Sequence, residues 1–377
     1  MLTPAGPIPL SGTMGEEVVG VARVTLKTIA EHVGVSRMTV SNAFSRPDQL
    51  SEDLRTRILT AAEELGYAGP DPAARALARG RTGVIGMVLT NSPRDAFTDD
   101  VAVGFVRAVA GSLADAGYSL VLLHASGKNG VVPARDIAMD GAIVYSCAPA
   151  TAAFAALRER HLPIVNVEGA PLPGVPDIGI DNATGAYQAA QHLVDLGHTR
   201  IAIVVSALDA DNSSPSEAAV DTASPTIAGR MDGWMRALGQ ADIVPTLVGT
   251  PALGIDDILR ERIDRMLDDP PTAVLAFSDL AALEVMERAK ARGILVPEQL
   301  SVVGFDDNPL AARVSPALTT VRQDIDAKGD AAAQALLSLL REEEATSSQR
   351  LPTALVIRAS TAQPGAAGRS EKTSSRT

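Results

Sequence analysis

Arg37, Met38, Ser41 and Asn42 lie close together in the sequence, and their side chains are the types that read DNA. Arg and Asn can bond a base edge through two atoms at once, Met can pack on a thymine methyl, and Ser can hold a phosphate. Far downstream, Asp306 falls just past an apolar run that reads as a strand, where a carboxylate can hold the hydroxyls of a ligand.

The first group needs a helix to present it. Leu26, Ile29, Ala30 and Val33 recur at helical spacing behind Thr25, an N-cap residue, and Gly34 stops that helix. Ser36 caps a second, short helix that turns Val40 and Ala43 inward and leaves Arg37, Met38, Ser41 and Asn42 outward. Two helices joined by so tight a turn make a helix-turn-helix pattern. A third helix follows, capped by Ser51 with Glu52 and Asp53 in its first turn. Its apolar face is Leu54, Ile58, Ala61, Ala62 and Leu65, and Gly66 ends it. A plain three-helix domain with a polar face would carry the same pattern. Asp71 and Pro72 then open a run of about two helical turns, too short to be stable alone in water and so expected to form on docking. Within it Leu77, between Arg75 and Arg79, suits an apolar wedge in a minor groove.

At this point the chain resembles the LacI/GalR family of bacterial transcription regulators. The match is carried by Val24-Thr-Leu-Lys27, Gly34-Val-Ser36, Thr39-Val-Ser41, Ala61-Ala-Glu-Glu-Leu-Gly-Tyr67 and Pro72-Ala-Ala-Arg-Ala-Leu77. The resemblance implies a DNA surface made of Thr25, Ser36, Arg37, Met38, Thr39, Ser41 and Asn42, with the second helix in the major groove. It implies a hinge helix that presents Ala76, Leu77 and Ala78, the leucines of a dimer levering open the centre of a palindromic operator. Asn42 departs from the family, where Arg is common, and leaves the operator sequence open.

From Gly83 onward, apolar runs alternate with amphipathic helices, the pattern of parallel sheets covered on both faces. Strands are expected at 84–89, 118–123, 142–145 and 164–167, and helices at 101–117, 152–161 and 181–197. The pattern then restarts with strands at 200–205, 246–248, 273–277, 300–304 and 353–357, and helices at 227–239, 255–267, 280–292 and 327–341. Two similar α/β halves suggest two lobes with a ligand cleft outside the strands' carboxyl ends. Further family-like motifs are Gly179-Ile-Asp-Asn182, His192-Leu-Val-Asp-Leu-Gly-His198, Val302-Val-Gly-Phe-Asp-Asp307 and Leu318-Thr-Thr-Val-Arg-Gln323. They imply a fold like the type I periplasmic binding proteins, with crossovers between lobes near His198, Leu318–Gln323 and Leu351. They also imply an effector site drawing on Asn91, Arg230, Ser278, Asp306 and Gln323, while Asp181 reads as a helix cap. The loop 91–100 departs from the family's aromatic-bearing loop, segment 124–140 is short, and 207–224 is a long polar loop. With aromatics at 3%, stacking on a sugar ring is poorly provided for. A sugar or related metabolite is what family habit implies.

The expected organisation is a disordered leader over 1–23, a DNA-binding domain over 24–70, a hinge helix over 71–82, a two-lobed effector and dimerisation domain over 83–361, and a disordered tail over 362–377. That tail lacks heptads, so a dimer is expected rather than a tetramer. The formal charge of −12 is concentrated downstream. Residues 24–81 hold Lys or Arg at 27, 37, 46, 55, 57, 75, 79 and 81 against Asp or Glu at 31, 48, 52, 53, 63, 64 and 71, a slightly basic balance. An acidic body suppresses non-specific sticking, and a small basic patch supplies the salt-dependent phosphate contacts. The single cysteine, Cys147, sits in a strand context and reads as structural. No stretch approaches a membrane span, and no signal peptide is evident, so a cytoplasmic location is expected. The histidines at 32, 124, 161, 192 and 198 lack metal-ligand spacing or a nucleophile partner, and no phosphate loop or nucleophile elbow is present. Neither a metal, nor a cofactor, nor an enzyme is expected. The reading is a dimeric DNA-binding regulator, most simply a repressor, controlled by a small effector; a solute-binding protein of the periplasmic type is the alternative.

Overall fold

The computed structural model describes residues 24–67, 69, 71–89, 97, 99–125, 131–145, 151–206, 225–250, 255–343 and 348–365. Asn91, Cys147, the 1–23 leader and the 207–224 loop lie outside the described residues. The chain divides at Gly80 and Arg81 into two compact units.

The first unit holds α1 (Leu26–Val33), α2 (Arg37–Ser45), a 3-10 turn (Pro47–Gln49), α3 (Glu52–Glu64) and α4 (Pro72–Arg79). Its core is Ile29, Ala30, Val40, Ala43, Ile58, Ala61 and Ala62, the residues whose spacing marked them as inward. Each helix start is fixed by a side chain. Thr25 accepts from the Thr28 N–H, Ser36 from Thr39 and Ser51 from Leu54. Gly34 takes φ +77, which a residue with a Cβ adopts only under strain, and that lets α2 start at once after α1.

The second unit contains two six-stranded sheets. Sheet one runs β11-β5-β4-β3-β1-β2 and sheet two β12-β10-β9-β8-β6-β7. The strands are β1 (Val84–Leu89), β2 (Ser119–His124), β3 (Gly141–Tyr145), β4 (Ile164–Val167), β5 (Asp177–Ile180), β6 (Ile201–Ser206), β7 (Thr246–Thr250), β8 (Ala273–Ala276), β9 (Ser301–Asp306), β10 (Thr319–Gln323), β11 (Gln349–Leu351) and β12 (Thr353–Val356). The helices are α5 (Asp100–Asp115), α6 (Pro133–Asp136), α7 (Ala152–Glu159), α8 (Asn182–Asp195), α9 (Pro225–Gln240), α10 (Asp257–Met266), α11 (Asp279–Ala291) and α12 (Ile325–Leu340). Pairing is parallel throughout except where β12 lies antiparallel on β10. That arrangement agrees with the expected α/β class of parallel sheets. Strands β5, β10 and β11 were not among the expected ones: each is short and reads as the flank of a polar turn.

The chain passes between lobes three times. It leaves sheet one after Ile180, re-enters that lobe after Gln323, and returns at Pro352 between β11 and β12. The first passage corrects the expectation of a crossover near His198. His198 is buried in the second lobe, bonded to the Thr272 hydroxyl at 2.9 Å and the Ala362 carbonyl at 2.8 Å, well after the chain has crossed. Helices α8 and α9 pack almost backbone to backbone in that lobe. A Cβ on Gly233 would sit 2.2 Å from the Ala183 carbonyl oxygen, so only glycine permits the contact. The same helix carries Arg230 and, one turn on, the chain's single tryptophan, Trp234, buried in the core.

Candidate DNA interface and effector site

On the first unit, Val40 and Ala43 anchor α2, and the helix turns Arg37 and Met38 fully outward, Met38 being 69% exposed. Ser41 and Asn42 are half-buried beside them. Thr25 and Ser36 serve as caps; the Ser36 hydroxyl also meets that of Thr39 at 2.8 Å. Asn42 donates from Nδ2 to Gln49 Oε1 at 3.2 Å, a contact sequence reasoning did not anticipate. In α4, capped by Asp71, Leu77 is 87% exposed and Ala76 is half-buried, while the side chain of Ala78 is not described. An apolar residue so exposed on a two-turn helix has no folding role there.

In the second unit, six polar side chains close into one ring at the carboxyl ends of both sheets. Glu168, just past β4, accepts from Lys328 Nζ at 3.2 Å. Lys328 Nζ also donates to Gln323 Oε1 at 2.8 Å, and Gln323 Nε2 donates to Asp306 Oδ1 at 2.6 Å. The same Asp306 oxygen accepts from Arg230 at 3.1 Å, Arg230 Nε donates to Asn182 Oδ1 at 3.0 Å, and Asn182 Nδ2 returns to Glu168 at 3.4 Å. The ring spans both lobes and lies across two of the chain's three passages between them. Glu168 and Asn182 flank the passage at Asp181, and Gln323 and Lys328 flank the one at Asp324. Every charge in it is matched. Arg230 further stacks on the Phe305 ring at 3.6 Å and bonds the Phe277 carbonyl, so its guanidinium is held by four partners. Asp306 has φ +117, a strained conformation that places its carboxylate in the ring.

The structure therefore brings together three of the residues named from sequence, Arg230, Asp306 and Gln323. Ser278 stands apart as the N-cap of α11, its hydroxyl accepting from the Ala281 N–H at 3.2 Å. Asp181 is the cap of α8. Glu168, Lys328 and Asn182 were missed. Asn182 belongs to a family-like motif and could have been found; Glu168 and Lys328 are lone charged residues with no local pattern.

A second buried carboxylate adjoins the ring. Asp279 accepts from the Thr320 hydroxyl and from the Asn308 N–H at 2.6 Å. Burial first, and then the charge of Asp306, push its carboxyl up to about 7. Burial likewise lifts Asp306 to about 6 against the pull of Arg230. Both groups hold protons more tightly folded than unfolded. Their stabilisation is thus fully present below about pH 4 and is lost as pH rises through about 6 to 7. His192 and His198, lowered by burial, push the other way in the same window. Comparison with Asp279→Asn removes that background: the melting temperature of wild type relative to the variant is expected to fall between about pH 5 and pH 8. Parallel curves would mean that Asp279 does not titrate there. Tyr145, stacked on Phe105 with ring centroids 4.8 Å apart, is raised well above the usual phenol range, chiefly by burial and then by Asp99 and Glu168. The local field is negative.

Among the described residues no helix is long and apolar enough to cross a membrane, and no cluster has metal-ligand geometry. Residues 25–69 match the model of bacterial regulatory proteins of the lacI family, and residues 190–361 that of the periplasmic binding protein-like domain. An HTH-type transcriptional regulator of Mycobacterium tuberculosis is 34% identical over 336 residues, 84% of this chain and 90% of that protein. The HTH-type transcriptional regulator IpsA of Corynebacterium glutamicum is 36% identical over 331 residues, 85% and 92% of the two chains. A solved complex of the transcriptional regulator CelR with cellobiose superposes with a TM-score of 0.61 at 29% identity, covering 90% of this chain and 100% of that one. These relatives are transcriptional regulators rather than enzymes. With a helix-turn-helix unit and a two-lobed parallel α/β unit in one chain, matched over nearly the full length of such proteins, this chain belongs to the lacI family of bacterial regulatory proteins.

Proposed function

We propose that the protein is a cytoplasmic, homodimeric repressor without enzymatic activity, which binds a palindromic operator and changes its operator affinity when a small polar effector binds between its lobes. The observation that carries this reading is the closed polar ring at the strand ends of both sheets, joined to the outward face of α2 in one chain. A solute-binding protein would account for the lobes but not for Arg37, Met38 and Leu77 standing exposed on two short helices. Under this reading Arg37, Met38 and Asn42 read bases, Thr25, Ser36, Thr39 and Ser41 hold phosphates, and Ala76, Leu77 and Ala78 enter the minor groove. Arg230, Asp306 and Gln323 contact the effector, and residues 71–82 serve as the hinge. Ser278 and Asn91 complete the effector set drawn from the sequence.

The ring also suggests how binding is transmitted. A ligand that takes over the hydrogen bonds of Asp306 and Gln323 changes the ties between lobes at two of the three passages, and the lobe angle with them. An effector shifts the equilibrium only by its differential affinity for the two lobe arrangements, and that coupling is reciprocal with DNA. A selection from random DNA followed by fluorescence anisotropy tests the scheme, with neutral mono- and disaccharides, cellobiose among them, as the first probes. Asp306→Ala is expected to retain specific operator binding, with the ligand-free affinity moved toward its effector-bound value because the same ties are cut. It is expected to reduce an effector response of roughly 5- to 150-fold to under about twofold. Equal response in wild type and variant would remove Asp306 from the site. Trp234, one turn from Arg230, offers an intrinsic fluorescence signal for the same titrations.

A further inference from the structure

The hydrogen bond between Asn42 and Gln49 bears on which base the protein reads, and the inference rests on the DNA-binding role of α2 proposed above. A primary amide has two N–H donors and one acceptor oxygen. Asn42 gives one donor to Gln49 Oε1 at 3.2 Å, which leaves one N–H and Oδ1 for DNA. One donor beside one acceptor is the complement of adenine in the major groove, with N7 accepting and the N6 amino group donating. Guanine presents two acceptors there and asks for two donors, which a tethered Asn42 no longer has. The tether itself is well placed. The Asn42 carbonyl caps α2 by accepting from the Arg46 N–H at 2.8 Å, Pro47 opens the 3-10 turn, and the Gln49 N–H bonds the Arg46 carbonyl at 3.1 Å. This brings an exposed glutamine of the turn back onto a half-buried asparagine of the helix. Ser51 caps α3 immediately beyond, so the turn is fixed at both ends.

We propose that Gln49 is a positioning residue that sets the amide orientation of Asn42, and that the pair selects adenine at one position of each operator half-site. Gln49 acts through Asn42 and touches no base. The orientation matters more than the contact. If Gln49 donated instead, Asn42 would face the DNA with two donors and the adenine preference would vanish.

The test is selection from random double-stranded DNA with the full chain, comparing base preference at every position between wild type, Asn42→Ala, Gln49→Glu and Gln49→Lys. Glutamate can only accept, so it holds Asn42 in the same orientation; lysine can only donate and reverses it. Wild type is expected to select a palindrome containing an adenine that Asn42→Ala randomises. Gln49→Glu keeps that preference, although its added charge lowers affinity for all sequences. Gln49→Lys reduces the preference by about tenfold while the other positions hold. Three results overturn the proposal: a base other than adenine at the position lost in Asn42→Ala, the same profile in Gln49→Lys as in wild type, or a loss of base preference in Gln49→Lys spread evenly over all positions. Failure of wild type to enrich any sequence, with or without the saccharide probes, would instead count against the DNA-binding reading itself. Because Gln49 is exposed, helix content by circular dichroism should match wild type in both variants, which separates misfolding from misreading.

Discussion

Leu77→Ala is expected to weaken operator binding by about 100-fold while changing affinity for unrelated DNA less than about threefold. The reasoning begins with exposure. Leu77 stands 87% open on a helix of eight residues, with Arg75 and Arg79 on either side of it. Leaving so large an apolar side chain in water gains nothing for the fold, and truncating it removes no core packing. On a bent operator the same side chain can be buried between base pairs. Inserting such wedges costs a few kcal/mol of unstacking, recovered through the larger contact that bent DNA allows. Two copies at one central step would add their losses, and about 2.7 kcal/mol corresponds to a hundredfold change. Non-specific complexes depend on phosphate neutralisation, and Leu77→Ala removes no charge. Anisotropy on the selected operator and on a scrambled duplex, each at two salt concentrations, measures both quantities. An equal loss on both DNAs would remove the wedge role.

Lys328→Met is expected to cost the effector-binding unit about 3–5 kcal/mol of stability. Lys328 is 1% exposed, and its ammonium is held by Glu168 and Gln323. Methionine keeps most of the volume and removes the charge. Glu168 would then stay buried with only Asn182 at 3.4 Å and the Thr226 hydroxyl at 3.3 Å, both neutral donors at long range. Gln323 would lose the partner of its carbonyl. Burying a carboxylate without its cation is what makes the change severe, more than the loss of attraction between the two. For a unit of this size the melting temperature should fall by roughly 10 °C. Adding Glu168→Gln should recover most of that drop, because it removes the stranded charge. Calorimetry on the two single variants and the double variant gives the coupling directly. A shift of under about 2 °C in Lys328→Met would show the pair to be solvated.

How much of this was legible in the chain depends on the range of each interaction. The helix-turn-helix unit was readable because its caps, glycines and apolar positions act within a few residues. Thr25, Gly34, Ser36, Ser51 and Gly66 fall where the spacing placed them. The second unit was readable as alternating strands and helices, yet β5, β10 and β11 escaped notice, being three to five residues long and bordered by polar turns. Glu168 and Lys328 were invisible for a different reason. They stand 160 positions apart, and a lysine on the first turn of α12 looks like any solvated helix residue. Only the fold reveals that α12 belongs to the first lobe. The passage lies at Asp181 and not near His198, where the family resemblance implied it, because an N-cap aspartate does not by itself announce a change of lobe.

The three passages also govern how the protein can be made. The first lobe's core joins Phe105, Val109 and Ile143 to Ala332, Ala335 and Leu336 of α12, which the ribosome delivers only after strands β6 to β10 of the second lobe. At about 5–20 residues per second, roughly 10–40 s separate Ile143 from Leu336. Throughout that interval the nascent first sheet carries an uncovered apolar face. The closing edge strands of the two sheets, β11 and β12, arrive last and together, with only Pro352 between them. Neither lobe can be finished before the other. The effector-binding unit can close its two sheets only once residues 349–356 have emerged.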